Sequence, residues 1–460
     1  MRIGLACRNI TPPFRTTMGG YGARQDHFDG VHDPLTFTAI VIEEGPRRAL
    51  IGAADLIGFT DYASPPSLHK RLARIVGCPE ENVLLNASHT HGGPHIVDRS
   101  IFDSFTQDIE SAKRYKAWLF DQVAEAAHEA AGSLFEGTLW FAEGKTGFPM
   151  NRRLERNGEV VNAPRPDGPI DGRMQTLTIR NKAGEIAAIG MRLSCHPVAT
   201  GAQHLITADF VGAWRAEMSR AFGPKVIPFF LQGSGADTRP RHAANGDRWR
   251  ELNHAELEPI GRELLAESLA ILTSGKQLQI SDLILQGKIN TVCAPCRKRY
   301  TQAAQLKPLL QSDNRYERLY AQECLRLIES GKEVPDHADL HVQTLWLSRE
   351  FALIGLNVEP LLALGAYVES AIAPPRRAIL LGYTNGALCY APDSAEMKRG
   401  GYETTSYLFQ PWTGPLLPGL EKLLAEAVVA VPGRQSPASG TGSRRIGARA
   451  AKPRRTQRRA

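Results

Sequence analysis

Hydrophobic and polar residues alternate along the chain in a way that predicts many short strands interleaved with amphipathic helices. Short apolar runs predict strands over 37–43, 48–56, 82–86, 139–143, 175–180, 188–194, 226–231, 342–347, 351–356 and 378–382. Apolar positions at helical spacing predict helices over 67–76, 115–131, 209–222, 256–272, 316–330 and 416–429, the third with Asp209 as its N-cap. This alternation predicts an α/β fold class with mixed β-sheets flanked by helices.

Composition divides the 460-residue chain into a body over 1–433 and a low-complexity basic tail over 434–460. Hydrophobic residues make up 42% of the sequence and charged residues 22%, which suits a packed core. The tail holds nine Lys and Arg residues and no Asp or Glu, so it accounts for the net charge of +7 and leaves the body close to neutral. A basic tail can contact RNA or anionic lipid, but this one has no aromatic residues to stack on bases. A solvated, disordered extension is therefore favoured, and no nucleic-acid partner is expected.

Compartment follows from two further patterns. The chain has no run of about 18 apolar residues and no recognisable signal peptide, which predicts a cytoplasmic protein without a transmembrane segment. Seven scattered cysteines are an odd number and suit a reducing compartment. Cys293-Ala294-Pro295-Cys296 forms a CxxC, but a single CxxC without a second pair is interpreted as structural or incidental.

Side chains able to bind metal occur where predicted strands run into loops. The strongest pattern is His89-Thr90-His91 followed by Gly92-Gly93-Pro94. On an extended backbone, residues i and i+2 point the same way, so both imidazoles would face one cleft. This pattern indicates a metal site, the alternative being two polar loop histidines.

Three more junctions carry weaker signals. His196 follows a predicted strand, although a single histidine is more often a hydrogen-bonded structural residue. Glu359 closes an apolar strand, where burial favours a cation as partner unless backbone N–H groups at a helix start satisfy it. Tyr390, taken by itself, is interpreted as a packing residue.

Two histidines and one carboxylate form a common zinc set that leaves a position open for water. Zinc lowers the pKa of that water to about 7 and so supplies a nucleophile. If only His89 of the first pair binds metal, His91 is free to act as general base or to support the ligands. Manganese, iron or cobalt would suit the same ligand types.

Six motifs in this order resemble the neutral, non-lysosomal ceramidase family over roughly residues 1–433. They are Met18-Gly19-Gly20-Tyr21-Gly22, Asn86-Ala87-Ser88-His89-Thr90-His91-Gly92-Gly93-Pro94, Asn151-Arg152-Arg153, Cys195-His196 with Leu205-Ile206-Thr207-Ala208-Asp209, Gly355 to Pro360, and Asn385 to Tyr390 with Gly401-Tyr402-Glu403. The family comprises zinc amidases that cut the N-acyl bond of ceramide. The resemblance implies a catalytic domain of that fold.

The resemblance also implies roles for individual residues. One zinc ion per chain would be held by four ligands: His89, His196, Glu359 and Tyr390. His91 would be the catalytic histidine, and Arg152 and Tyr402 would contact the substrate oxygen or oxyanion, a role that fits charged and phenolic donors. Substrate-binding positions would be Gly20, Asp237 and Arg239.

Two features depart from the family pattern. Its Gly-Asp-x-Ser-Pro segment corresponds to Ala236-Asp237-Thr238-Arg239-Pro240, so an arginine stands where the family has a serine to which a catalytic role is assigned. This excludes a serine nucleophile at that position but leaves a zinc-based mechanism open. Arg239 either binds an anionic group of the substrate or pairs with Asp237 or a nearby acid. The chain also ends too early for the family's immunoglobulin-like C-terminal domain, which is therefore not expected here.

The sequence thus predicts a zinc-dependent hydrolase of an N-acyl amide, with ceramide as the family substrate and a small-molecule or lipid amide as the expected partner. Arg239 and the chain's end motivate an alternative, a smaller, polar or anionic amide or ester. A second alternative is an inactive binding protein on the same fold. The predicted helix over 316–330 is interpreted as a lid or an oligomer contact, and the oligomeric state stays open.

Overall fold

The computed structural model describes residues 1–24, 26–59, 67–96, 106–432 and 445–447. Nine α-helices occur in these ranges: α1 Leu68–Val76, α2 Ile109–Gly132, α3 Phe210–Phe222, α4 Leu257–Thr273, α5 Ala303–Leu306, α6 Arg315–Glu329, α7 Leu362–Glu369, α8 Ser394–Arg399 and α9 Leu420–Glu426. The first strands are β1 Arg2–Asn9, β2 Gly30–Val31, β3 Thr36–Glu44, β4 Arg47–Ala54, β5 Val83–Ala87, β6 Phe135–Lys145, β7 Pro149–Arg156, β8 Glu159–Arg165, β9 Arg173–Asn181, β10 Ile186–Leu193, β11 Leu205–Ile206 and β12 Ile227–Gln232. The remaining strands are β13 Thr238–Pro240, β14 Ala244–Asn245, β15 Arg248–Trp249, β16 Leu278–Ile280, β17 Leu283–Pro295, β18 His337–Ser348, β19 Phe351–Leu356, β20 Glu359–Pro360, β21 Arg377–Leu381, β22 Tyr390–Ala391 and β23 Arg445–Gly447.

Two large sheets dominate the fold. The first runs in the order β12-β10-β9-β6-β1-β3-β4-β5 with β16 added beside β6, and the second runs β21-β19-β18-β17-β23. Both mix parallel and antiparallel pairs: β4 and β5 are parallel, for example, whereas β3 and β4 are antiparallel. The predicted α/β class with mixed sheets is confirmed.

The two sheets pack face to face, with helices on both outer faces. Along β3, Ile40 and Ile42 point to a core shared with Leu345 and Leu353 of the second sheet. The alternate positions of β3 belong to a separate core that α1, α2, α3 and α4 cover. On the far side of the second sheet, a third core includes residues of α6, α7 and α9. The period-two alternation along each strand therefore gives a helix–sheet–sheet–helix arrangement.

The edges of the first sheet meet through the side chain of Asn86 on β5. Its Oδ1 accepts a hydrogen bond of 2.7 Å from the backbone N–H of Gln232 on β12. Its Nδ2 donates to the carbonyl of Gly382, just after β21 of the second sheet, at 2.7 Å. One fully buried amide thus ties β5, β12 and the second sheet together. The strands β12 and β5, which stand at opposite ends of the strand order, are thereby brought together.

Local signals explain most element boundaries. Ser67 caps α1 by accepting from the backbone N–H of Lys70 at 3.2 Å, and Gly77 ends that helix at φ 73°. Asp209 caps α3 as predicted, with its Oδ1 accepting from Phe210 at 2.8 Å. The last predicted helix is shorter than expected, because Gly419, at φ 101°, sets its start.

Several strands escaped prediction. β7 (PMNRRLER) and β8 (EVVNAPR) are rich in polar residues because they form a small separate sheet with β13. In β17 the run of apolar residues is broken by Gly287, Lys288 and Asn290. Of the predicted tail, the structure describes β23 alone, which pairs in parallel with β17. The division at 433 remains a prediction.

Candidate metal centre and active site

His89 leaves the end of β5 in a backbone conformation that the sequence did not reveal. Its φ is 65°, so the segment is not extended, and the predicted i, i+2 reason for pairing His89 with His91 is wrong. The two rings nonetheless meet, with centroids 5.0 Å apart. A positive φ at a non-glycine residue carries a cost in backbone energy, and such positions concentrate at functional sites.

The orientation of the His89 ring is set by the backbone. Its Nδ1 lies 2.6 Å from the carbonyl oxygen of Ile57. Because a carbonyl only accepts, Nδ1 carries the proton and Nε2 presents a lone pair. His89 is buried, so this lone pair points into the protein interior.

His196 is held in the same way after β10. Its Nδ1 donates to the carbonyl of Gly235 at 2.6 Å, and the side chain is fully buried. The Nε2 of this ring makes no hydrogen bond within the described part of the chain. Two imidazoles from separate strands are therefore fixed as the same tautomer, an arrangement typical of metal-ligating histidines.

Glu359, on the two-residue strand β20 that follows β19, brings a carboxylate to both rings. Its Oε2 lies 3.2 Å from Nε2 of His89 and 3.4 Å from Nε2 of His196. Burial raises the pKa of this carboxyl, but the positive charge of protonated His89 and His196 lowers it by more than burial raises it. An ionised carboxylate and two lone pairs thus meet at one buried point.

His91 completes a cluster with His89 and His196, in which one ring nitrogen of each lies within 4.8 Å of the others. It differs from the other two because neither of its ring nitrogens has a hydrogen-bond partner among the described residues. Burial and the neighbouring His89 and His196 lower the pKa of His91 well below its usual value. A neutral imidazole without a backbone anchor suits proton transfer better than ligation.

Gly20 gives the His91 ring its space. This glycine has φ 92°, and a Cβ placed on it would lie 2.6 Å from the Cγ of His91. Next to it, the ring of Tyr21 meets His91 edge to face, with centroids 4.8 Å apart. The predicted substrate-binding position Gly20 therefore lies against the candidate catalytic ring, on a wall of the same cavity.

Tyr390 stands beside the cluster because β22 pairs in parallel with β20, with Glu359 opposite Tyr390. Its ring stacks at 6.5 Å from that of His196. Burial and Glu359 raise the pKa of Tyr390 well above its usual value, and Arg152 opposes them. A buried cation at this point would favour the phenolate and so allow the phenol oxygen to ligate.

Arg152 lies on the other side of Tyr390, with its guanidinium carbon 5.5 Å from the ring centroid. Its Nε donates to Glu403 at 3.0 Å, and both side chains are buried. Arg153 also donates to Glu403. Glu403 therefore anchors two arginines, and it holds Arg152 against the cluster as a fixed positive charge.

Tyr402 lies at the rim of the cavity. It is 43% exposed, and its ring centroid is 5.4 Å from that of Tyr390. Tyr316 at the start of α6 lines the same cavity, so the predicted helical excursion reaches the site. A solvent-accessible phenol at this place can meet a substrate before the buried residues do.

Asp237 and Arg239, two of the predicted substrate-binding residues, are absent from the described cavity lining. The Oδ1 of Asp237 accepts from the backbone N–H of Leu362 at 3.1 Å. Nη2 of Arg239 donates to the carbonyl of Val198 at 3.1 Å, and its guanidinium carbon lies 4.8 Å from the Trp249 ring centroid. The structure thus brings Gly20 to the cluster, whereas Asp237 and Arg239 contact the surrounding backbone and do not line the cavity.

The cavity itself has a volume of about 130 Å³ and mixes polar and apolar walls. His89, His91 and Glu359 are among the residues that line it. Its apolar side chains are Met18, Ile57, Ile96, Leu388 and Phe409. This lining suits a ligand with a polar reacting group and an apolar extension.

One residue of the site was missed by sequence reasoning. Tyr383 is fully buried, has φ 51°, and its ring lies 4.3 Å from that of His89. Glu359 contributes to raising its pKa, although burial contributes more. Its position could have indicated a site residue, since Tyr383 follows a predicted strand as the histidines do. A single tyrosine at a strand end, however, is equally consistent with a packing role.

These residues fit a divalent metal ion. Nε2 of His196 and Oε2 of Glu359 are buried atoms without a hydrogen-bond partner among the described residues, and buried polar atoms are normally satisfied. Two imidazoles and a carboxylate form a common zinc set. His89, His196 and Glu359 would hold the ion, with Tyr390 placed as a fourth ligand.

Comparison with known proteins finds a likeness to a neutral ceramidase. The chain is 27% identical over 252 residues to the neutral ceramidase of Pseudomonas aeruginosa, a match that covers 52% of this chain and 37% of that protein's length. No protein-family model matches the chain. No helix in the described ranges is both long and apolar enough to cross a bilayer.

Two solved structures share the fold. A ceramidase complexed with C2 superposes with a TM-score of 0.70 at 20% identity, covering 95% of this chain and 77% of that one. A crystal structure of the Pseudomonas aeruginosa neutral ceramidase gives a TM-score of 0.68 at 19% identity, covering 96% and 76%. The predicted resemblance to neutral ceramidases is confirmed, in sequence over 252 residues and in the shared fold.

Proposed function

We propose that this protein is a zinc-dependent hydrolase that cleaves the N-acyl amide bond of ceramide or of a closely similar lipid amide. The observation that carries the proposal is the convergence of His89, His196 and Glu359 at one buried point, with both imidazoles oriented by backbone carbonyls. The likeness to neutral ceramidases supports the choice of substrate class.

The chain's own residues have distinct tasks in this proposal. When bound, a zinc ion supplies Lewis-acid activation of water and of the scissile carbonyl. His91, neutral and without a backbone anchor, accepts the proton of the attacking water and returns it to the leaving amine. Arg152, fixed by Glu403, stabilises negative charge that develops on the carbonyl oxygen. Tyr402 at the rim binds a polar group of the substrate.

The character of the cavity favours a lipid amide over an anionic substrate. Its walls include five apolar side chains near the cluster, named above. Arg239, which motivated the anionic alternative, donates to a backbone carbonyl and packs on Trp249. Arg24, the arginine in the described lining, donates to the carbonyls of Gly19, His91 and Gln203.

The test is release of fatty acid from a short-chain ceramide by the zinc-loaded protein, with His89→Ala as the blank. We expect turnover that is lost in the variant and restored to the wild-type protein by zinc after chelation. An Arg239→Ala variant should retain most of the activity, because the Arg239 guanidinium contacts Val198 and Trp249 and does not line the cavity. Absence of turnover from a zinc-loaded, folded protein would refute the ceramide assignment.

A further inference from the structure

A second group of metal-ligating side chains lies away from the cavity, on β17 and β18 of the second sheet. Cys293, His337 and Asp339 each place one ligand atom within 4.8 Å of the others. All three are partly buried. They belong to neither the proposed reaction nor the cavity lining.

Strand register explains why these residues meet. Cys293 pairs directly with Asp339 across the antiparallel ladder, and His337 pairs with Pro295 two residues along. Residues two apart on a strand share a face, so the thiol, the carboxylate and the imidazole project to one side. Ala338 and Leu340, the neighbours of Asp339 on β18, point to the opposite side, into the core under α6 and α7.

The same alternation places the two cysteines of the CxxC motif on opposite sides of the sheet. Cys296 is buried in that opposite core, whereas Cys293 faces the histidine and the aspartate. Neither cysteine forms a disulfide among the described residues. Cys293 and Cys296 therefore do not face the same site, and the side chains grouped with Cys293 come from β18.

His337 is oriented as a metal ligand would be. Its Nδ1 lies 3.1 Å from Oδ1 of Asp336, and the other oxygen of Asp336 accepts from Lys298 at 2.9 Å. Because an ionised carboxylate only accepts, Nδ1 carries the proton and Nε2 is left with a lone pair. That Nε2 is 3.9 Å from Oδ1 of Asp339, too far for a direct hydrogen bond. A carboxylate–histidine pair of this kind is a usual support for a metal ligand.

We propose that Cys293, His337 and Asp339 form a second site for a divalent transition metal of the zinc class. One thiolate, one imidazole and one carboxylate are ligands that zinc accepts, and the partial exposure of the site leaves its fourth position to water. The ion joins the end of β17 to the start of β18 and so fastens two strands of the second sheet. Its binding is linked to stability, since an ion that binds only the folded state stabilises it.

Cobalt(II) titration of the full-length, metal-free protein tests this site separately from the catalytic one. A thiolate ligand gives a thiolate-to-cobalt charge-transfer absorption band, and the catalytic cluster contains no thiolate. We expect the band in the wild-type protein and in His89→Ala, and its loss in Cys293→Ser and in His337→Ala. Cys7→Ser, which alters an exposed thiol on β1, is the matched control and should keep it.

Metal content gives an independent reading of the same variants. Cys293→Ser should bind one zinc ion fewer per chain than the wild-type protein while it retains hydrolytic activity, and its thermal unfolding should lose the zinc-dependent part of its stabilisation. A wild-type protein without the charge-transfer band, or a band unchanged in Cys293→Ser, would overturn the proposal. Because His89→Ala removes the catalytic centre alone, failure of the ceramidase proposal leaves this result unaffected.

Discussion

The two large sheets contribute to the candidate metal centre in different ways. The first sheet supplies histidines directly after β5 and β10, and each ligand ring is anchored by a backbone carbonyl. Glu359 and Tyr390 come instead from β20 and β22, a separate parallel pair of strands only two residues long that follow β19 and β21 of the second sheet. Local sequence is thus enough to predict the histidines, whereas the carboxylate and the phenol depend on how the loop between β21 and β22 folds back.

The largest expected effect separates the two kinds of histidine in the first sheet. His91→Ala should lower ceramide hydrolysis by about 10²–10⁴-fold, the range of a general acid–base residue. Metal content should remain at the wild-type level, because His91 lacks the anchoring that the ligands have. Parallel metal and activity assays measure this, and loss of metal from His91→Ala would instead make it a ligand.

The next effect tests the contribution of Glu359 on β20. Glu359→Gln removes the negative charge between His89 and His196 and should weaken zinc affinity at least about 10–100-fold, as loss of even a supporting residue does. Zinc-competition titration with a chelator gives the affinity. Glu421→Gln, which alters a buried carboxylate on α9, is the control and should leave affinity unchanged. Equal losses in both variants would indicate a general folding defect.

A smaller effect concerns the space around His91. Gly20→Ala forces a Cβ into the ring and should reduce kcat by up to about 10²-fold, the scale of an ångström-sized displacement of a catalytic group. Gly45→Ala is a matched control, since Gly45 also has a positive φ but meets nothing within 4 Å. Comparable loss of activity in both variants would point to backbone strain rather than to the clash.

The smallest effect is a pH dependence of the free energy of unfolding, and it originates in the buried carboxyl of Asp237. Burial raises the pKa of Asp237 to about 7, above its ordinary value. The folded protein therefore holds this proton more tightly than the unfolded chain, so stability is fullest below the ordinary pKa and falls as pH rises toward about 7. The slope is at most about 1.4 kcal/mol per pH unit.

Urea unfolding across this pH range measures that slope. Asp237→Asn keeps an oxygen for the Leu362 N–H and removes the titration, so its stability should vary less with pH than that of the wild-type protein. The exposed Asp247→Asn is the control and should retain the wild-type slope. A slope that is the same in all three proteins would contradict the assigned origin.

The fold class and most core elements were predictable because they depend on local periodicity. The strand Phe351–Leu356 appears with its predicted bounds, and α3 begins after its predicted cap, Asp209. β7, β8 and β17 were missed because their sequences alternate weakly or carry polar residues, and neighbouring strands stabilise them. Propensity is a weak guide where tertiary pairing decides the structure.

The site was predictable to a similar degree. His89, His91 and His196 stand at strand ends, and the structure unites them with Glu359 as predicted. The positive φ of His89, the stacking of Tyr383 and the anchoring of Arg152 by Glu403 arise from contacts between distant segments. Arg239 shows the converse, since a substitution at a family position suggested substrate contact while its guanidinium packs on Trp249.

The most direct test of the central claim is the zinc content of four proteins, all made in the Cys293→Ser background so that the second site does not contribute. The parent and His91→Ala should each retain one ion per chain. His89→Ala and His196→Ala should retain none, because each loses an anchored imidazole of the buried cluster. Zinc that persists at the parent level in His89→Ala and His196→Ala would contradict a metal centre at this point.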